Sequence, residues 1–159
     1  MNYYNETDKY IFFWHGPFSN FWKTKIKIKD LEFLSSEQAF MYMKAKVFDK
    51  SKCNKILETD SPQEAKKIGR KIRNYDDLKW ASLRYDVMKD ILFYKFSQNP
   101  ELKIILLKTG NKILVEGSPY DKIWGVGIHF KDELIYNESN WRGQNLLGKA
   151  LMEVREKLK

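Results

Sequence analysis

The sequence of 159 residues is short of cysteine, histidine and proline, with one, two and four of them. A lone Cys53 has no partner for an internal disulfide, which agrees with a reducing compartment, and the cytoplasm is the expected location. One Cys and two His cannot make a Cys/His zinc site within one chain. A carboxylate-and-water site for a hard cation stays open on this ground, although neither metal nor cofactor is expected. The few Pro and Gly residues rule out collagen-like and Pro/Gly-rich disordered chains. No run approaches the roughly 20 apolar residues of a membrane span. The stretch Met1-Asn2-Tyr3-Tyr4-Asn5-Glu6 has neither a basic nor an apolar region, so no signal peptide is expected. Lys131-Asp132-Glu133-Leu134 spells an ER-retention signal, but that signal is read only at a C-terminus.

Aromatic residues, by contrast, are plentiful at 15%, within a hydrophobic share of 43% and a charged share of 31%. A chain rich in aromatics folds, and this length fits a single domain over 1–159. The net charge of +8 leans toward anionic partners such as nucleotides, phosphates or nucleic acid. The most regular basic feature is Trp22-Lys23-Thr24-Lys25-Ile26-Lys27-Ile28-Lys29. Its strict alternation predicts a strand with the lysines on one face. A solvated face that discourages edge pairing explains it, and so does a phosphate-backbone contact.

Tyr10–Trp14 reads as a first strand, 22–28 as a second and Asp30–Phe33 as a third. Ser35 and Gln38 have capping-box spacing, and the helix they open runs through Val47. Ser61-Pro62-Gln63-Glu64 opens another, expected to reach Ile72. Asp76 or Asp77 starts a longer helix to Ser97, with Trp80, Leu83, Val87, Ile91 and Tyr94 as its apolar stripe. A helix from Asn99-Pro100 closes at Thr109-Gly110, Lys112–Glu116 is a short strand, and Gln144–Leu158 is a final helix. Strands early and once late, with helices between, predict an α+β fold, mostly helical around a small antiparallel sheet.

Chemistry concentrates in a few segments. Glu37 falls in the first turn of its helix, where the macrodipole favours a carboxylate. Lys44 follows about 20° around and roughly 10 Å along the same axis, and its side chain leans back toward Glu37. An acid and an amine in one pocket is one reading; a capping Glu and a solvated Lys is the other. Glu116–Gly127 packs three glycines, a proline, two carboxylates and Trp124 into twelve residues, either a functional loop or a plain turn. Gly16–Trp22 sets Ser19 and Asn20 between large rings, as a base-binding wall requires, though aromatics more often form core. Asn140–Asn145 precedes the last helix, whose N-terminus is a candidate phosphate site. His15 and His129 have no spaced partner.

These motifs also occur in an order that resembles one family: Pro17-Phe18-Ser19-Asn20-Phe21, Ser36-Glu37-Gln38-Ala39-Phe40 with Lys44-Ala45-Lys46-Val47-Phe48, Ile68-Gly69-Arg70, Lys95–Pro100, Leu106–Gly110, Val115–Pro119, Asp121–Gly127 and Asn145–Met152. The pattern resembles the NADAR (NAD- and ADP-ribose-associated) family, also called YbiA-like, over roughly residues 10–158. The resemblance implies a YbiA-like fold and N-glycosidase activity. The substrates it implies are ribosylamine intermediates of early riboflavin synthesis or ADP-ribosylated guanine in nucleic acid. A non-catalytic nucleotide or ADP-ribose reader is the alternative. The resemblance implies a site at Glu37, Lys44, Trp80, Asp121 and Trp124, with Glu37, Lys44 and Asp121 as the catalytic residues and the two Trp rings stacking on a heterocycle. Arg70 is a candidate for holding phosphate bidentately, and Ser19, Asn20, Phe21, Gly125 and Asn145 are further candidate substrate contacts. No metal or cofactor enters, no membrane partner is expected, and the protein is expected to be a monomer. His129–Asn140 matches no part of the pattern.

Overall fold

The computed structural model describes residues 2–159. In chain order the elements are β1 (Tyr4–Glu6), β2 (Tyr10–Phe13), β3 (Ile26–Ile28), β4 (Leu31–Phe33), α1 (Ser36–Phe48), α2 (Cys53–Glu58), α3 (Pro62–Gly69), α4 (Asp77–Gln98), α5 (Pro100–Lys108), β5 (Ile113–Glu116) and α6 (Leu146–Leu158). The fold is α+β and mostly helical, as expected. It falls into two compact units: residues through Ser19 with Pro100–Lys159, and Asn20–Asn99.

The first unit holds a sheet of order β1-β2-β5. β1 pairs antiparallel with β2, Tyr4 opposite Phe13, whereas β2 and β5 are parallel, Tyr10 opposite Ile113. The expected all-antiparallel sheet is corrected in that detail. A parallel pair needs a long crossover, and here every residue from 14 to 112 lies between the two strands, beyond the reach of local pattern. β1 escapes the sequence pattern because Tyr4-Asn5-Glu6 has no apolar run; Asn5 Nδ2 ties it down by donating to the Phe130 carbonyl at 3.0 Å. Tyr10, Phe12, Val115, Val126, Ile128, Phe130 and Ile135 form the core cluster. On α6, Leu147, Leu151 and Val154 are buried, and Leu158 is half-buried.

The second unit packs the β3–β4 hairpin and α4 around α1, with α3 against α1 as well. The lysine alternation holds: Lys23, Lys25, Lys27 and Lys29 are exposed while Ile26 and Ile28 are buried. The regular strand is shorter than expected, and the Gln98 carboxamide pairs with its outer edge. Gln98 Oε1 accepts from the Lys27 N–H at 2.8 Å and Nε2 donates to the Lys27 carbonyl at 2.6 Å. α3 also ends early, at Gly69 rather than Ile72.

The stripe on α4 differs from expectation. Buried positions are Trp80, Met88, Ile91, Leu92, Lys95 and Phe96, whereas Leu83 and Tyr94 are 36% and 37% exposed. The expected set repeats every 3.5 residues and drifts by about 20° per heptad on a straight helix. Over this length the true apolar face moves away from it, and a buried lysine disguises where it goes. Burial pushes the Lys95 amine from 10.5 down to about 7. Between those values the unfolded chain binds a proton that the folded chain does not, so stability rises with pH at up to about 1.4 kcal/mol per unit from this group. Lys95→Met is expected to lack that rise, its stability advantage over the parent shrinking from pH 7 to pH 10 in denaturant titrations. Parallel curves for the two proteins would show that Lys95 keeps its proton.

Candidate functional site

The start of α1 is bound on both sides. Ser35 Oγ accepts from the Gln38 N–H at 3.0 Å. Gln38 Oε1 accepts from the Leu34 N–H at 2.7 Å, and Nε2 donates to the carbonyls of Ile56, Leu57 and Thr59 at 3.0, 3.2 and 2.6 Å. Ser36 Oγ donates to Asn20 Oδ1 at 2.8 Å, and the Glu37 N–H donates to the Asn20 carbonyl at 3.0 Å. Asn20 therefore buttresses the helix start through both its side chain and its backbone. Glu37 is only 8% exposed, at the helix end whose dipole favours its ionised form.

Lys44, half-buried two turns further along α1, is held by groups from α3 and the segment before α4. Its Nζ donates to the Gly69 carbonyl at 3.3 Å and lies 4.6 Å from the centroid of the Tyr75 ring. A Cβ on Gly69 would land on the Met41 side chain, so glycine is what lets the end of α3 come this close to α1. The Gly69 carbonyl belongs to the negative end of that helix. Tyr75 in turn donates its hydroxyl to Asp77 Oδ1 at 2.8 Å. Burial lowers the Lys44 pKa below its ordinary 10.5, while the charges of Glu37 and Asp77 raise it by less. The unit thus joins a buried carboxyl to an amine whose neutral form burial favours.

Other expected residues of this unit are placed less favourably. Trp80 is only 3% exposed, its ring centroid 5.1 Å from Phe40 and 6.0 Å from Phe48. Its ring packs among the core aromatics. Arg70 is exposed where α3 ends. Phe21 is half-buried, with the Lys66 ammonium 5.6 Å from its ring centroid.

In the first unit, Ser19 is buried, its N–H donating to the Gly16 carbonyl at 2.9 Å. Asp121 anchors the Gly-rich loop: its Oδ1 accepts from the N–H groups of Ile123 and Trp124, both at 2.9 Å. Trp124 is half-buried. A Cβ on Gly125 would meet the carbonyls of Asp121 and Glu116 at 2.9 Å, so the turn closes only over glycine. Asn145, expected to touch substrate, binds the backbone of β5. Its Oδ1 accepts from the Glu116 N–H and its Nδ2 donates to the Leu114 carbonyl, both at 3.0 Å. The expected phosphate site at the start of α6 is corrected. The N–H groups of Leu146 and Leu147 donate to the carbonyls of Ile123 and Trp124 at 3.2 and 3.1 Å. His15 is exposed and stacked on Trp14, and His129 Nδ1 accepts from the Lys131 N–H at 3.1 Å.

Sequence reasoning missed Tyr75 and Asp77 as companions of Lys44, having read Asp76 or Asp77 only as a helix start. No spacing rule links a turn residue to a lysine on another helix. Among the described residues no three His, Cys, Asp or Glu side chains gather as metal ligands, and no helix is long and apolar enough to cross a membrane.

Comparison with known proteins adds to this geometry. The NADAR domain pattern matches residues 3–159. The chain is 40% identical over 166 aligned positions to N-glycosidase R617 of Acanthamoeba polyphaga mimivirus, covering 95% of this chain and 97% of that one. It is 34% identical to N-glycosidase YbiA of Escherichia coli strain K12 over 99% of this chain and 88% of the relative. The NMR structure of the E. coli protein YbiA superposes with a TM-score of 0.79 at 32% identity, covering 98% of this chain and 88% of that one.

Proposed function

Because the chain belongs to the NADAR family, we propose that it is an N-glycosidase that hydrolyses the C1′–N bond of a ribosylamine or ADP-ribosyl base. The substrate is a phosphoribosylaminopyrimidine of the riboflavin route or ADP-ribosylated guanine in nucleic acid. The enzyme works as a cytoplasmic monomer, with no metal or cofactor step. The observation that carries this reading is the Glu37–Lys44 arrangement: a buried acid on the same helix as an amine whose pKa burial lowers.

The ribosylamine opens to an imine between C1′ and the base nitrogen. The neutral Lys44 amine adds to C1′, and Glu37 delivers a proton to the departing nitrogen. The C1′–N bond to the base then breaks, leaving a lysine–sugar imine, and water returns Lys44 and the free sugar. The net reaction consumes one water per base released. Asp121 is the second carboxylate that the family resemblance brings into the proposal, and its Oδ1 is held by two backbone N–H groups.

Asp121→Asn keeps an oxygen for those N–H groups but loses the charge, so it is expected to lower turnover by about 100-fold with an unchanged melting temperature. Equal turnover would limit Asp121 to holding the loop. The test of the whole reading is incubation with a phosphoribosylaminopyrimidine and with ADP-ribosylated DNA, each in chelator, measuring free base and sugar. Tight binding without release from either would favour a non-catalytic reader.

A further inference from the structure

Arg84 is a cation that the proposed chemistry leaves unused. On α4 it follows Asp77 by two turns and Trp80 by one, so it shares their face of the helix. The residue is half-buried, and its Nε is buried with no hydrogen-bond partner. A guanidinium N–H held away from water without an acceptor is destabilising unless something else supplies the acceptor.

The neighbouring groups do not supply that acceptor. Tyr75 connects Arg84 to Lys44: the Lys44 ammonium lies over its ring, and the charge of Arg84 lowers the pKa of its hydroxyl against the larger upward push of burial. The nearby carboxylates already have partners, since Asp77 Oδ1 accepts from Tyr75 and Asp76 Oδ1 accepts from the Lys79 N–H at 3.1 Å. The acceptor that suits a planar guanidinium is a phosphoryl group, whose paired oxygens match its fork.

We propose that Arg84 is the phosphate-binding residue of the Lys44 site, its Nε and one Nη donating to two oxygens of the phosphoryl group on the substrate's sugar. This rests on the N-glycosidase reading and extends it. The exposed Arg70, expected for this role from sequence, is then dispensable. The ligand chemistry is a sugar-borne phosphoryl oxyanion, either a 5′-monoester or the diphosphate of an ADP-ribosyl group.

The test is calorimetric titration of ribose 5-phosphate, ADP-ribose and unphosphorylated ribose into the parent protein, Arg84→Gln, Arg84→Lys and Arg70→Gln. Arg84→Gln is expected to weaken the phosphorylated sugars by about 10- to 100-fold and leave ribose unchanged. Arg84→Lys, which keeps the charge without the fork, recovers only part of the loss, and Arg70→Gln binds like the parent. Arg84-dependence seen with ribose 5-phosphate identifies the monoester as the recognised group, and dependence seen only with ADP-ribose identifies the diphosphate. Equal weakening of ribose and ribose 5-phosphate, or no weakening in either Arg84 variant, overturns the proposal. In turnover assays Arg84→Gln raises KM for a phosphorylated ribosylamine and spares kcat. A parent protein that releases no base would refute the N-glycosidase reading, while the binding comparison would still decide the role of Arg84.

Discussion

Glu37→Gln is expected to lower kcat by about 10²- to 10⁴-fold while substrate still binds, the usual range for removing a general acid. The substitution is nearly isosteric. It leaves intact the Glu37 N–H bond to the Asn20 carbonyl, the Ser36–Asn20 hydrogen bond and the Ser35 cap, so loss of turnover with a near-parental melting temperature isolates the proton. A second consequence follows at Lys44. The Glu37 charge raises the Lys44 pKa, so removing it is expected to lower that pKa further, which NMR titration of the Lys44 side chain would register. An unchanged titration would mean that the two groups do not feel each other.

Lys44→Arg is expected to be as damaging as Lys44→Met, each costing at least about 10³-fold in kcat, because the covalent route needs an amine and not merely a positive charge. Arginine keeps the cation near Tyr75 but stays protonated throughout the working range. The pH profile gives the same distinction. A lysine that attacks as the free amine makes the rate rise with pH through its folded pKa, which lies below the ordinary 10.5. A Lys44→Arg enzyme that retains most activity, together with no sugar adduct on Lys44 after borohydride treatment during turnover, would reduce Lys44 to an electrostatic contact.

Much of the frame was legible because it is local. Ser35 and Ser61 cap the helices they were expected to cap, and helical spacing alone brought Glu37 and Lys44 to one helix face. What escaped depends on partners distant in sequence. The parallel β2–β5 pairing joins strands about a hundred residues apart. Gln98 and Asn145 complete strand edges with their carboxamides, a use of Asn and Gln that composition does not reveal. Lys95 shows the opposite failure: a charged residue type lies wholly inside the core, so hydrophobic periodicity passes over it. The candidate site divides in the same way. Glu37 and Lys44 came from spacing and family resemblance, whereas Tyr75 and Asp77 reach Lys44 only through packing between elements.

The central claim is that this chain breaks a C1′–N bond using Glu37 and Lys44. Its most direct test is mass spectrometry of the parent protein and Glu37→Gln after incubation with phosphoribosylaminopyrimidine and with ADP-ribosylated DNA, quantifying free base and sugar. The account predicts stoichiometric base and sugar from at least one substrate with the parent protein, and almost none with Glu37→Gln. Equal release by the two proteins, or no release by the parent from either substrate, would contradict it.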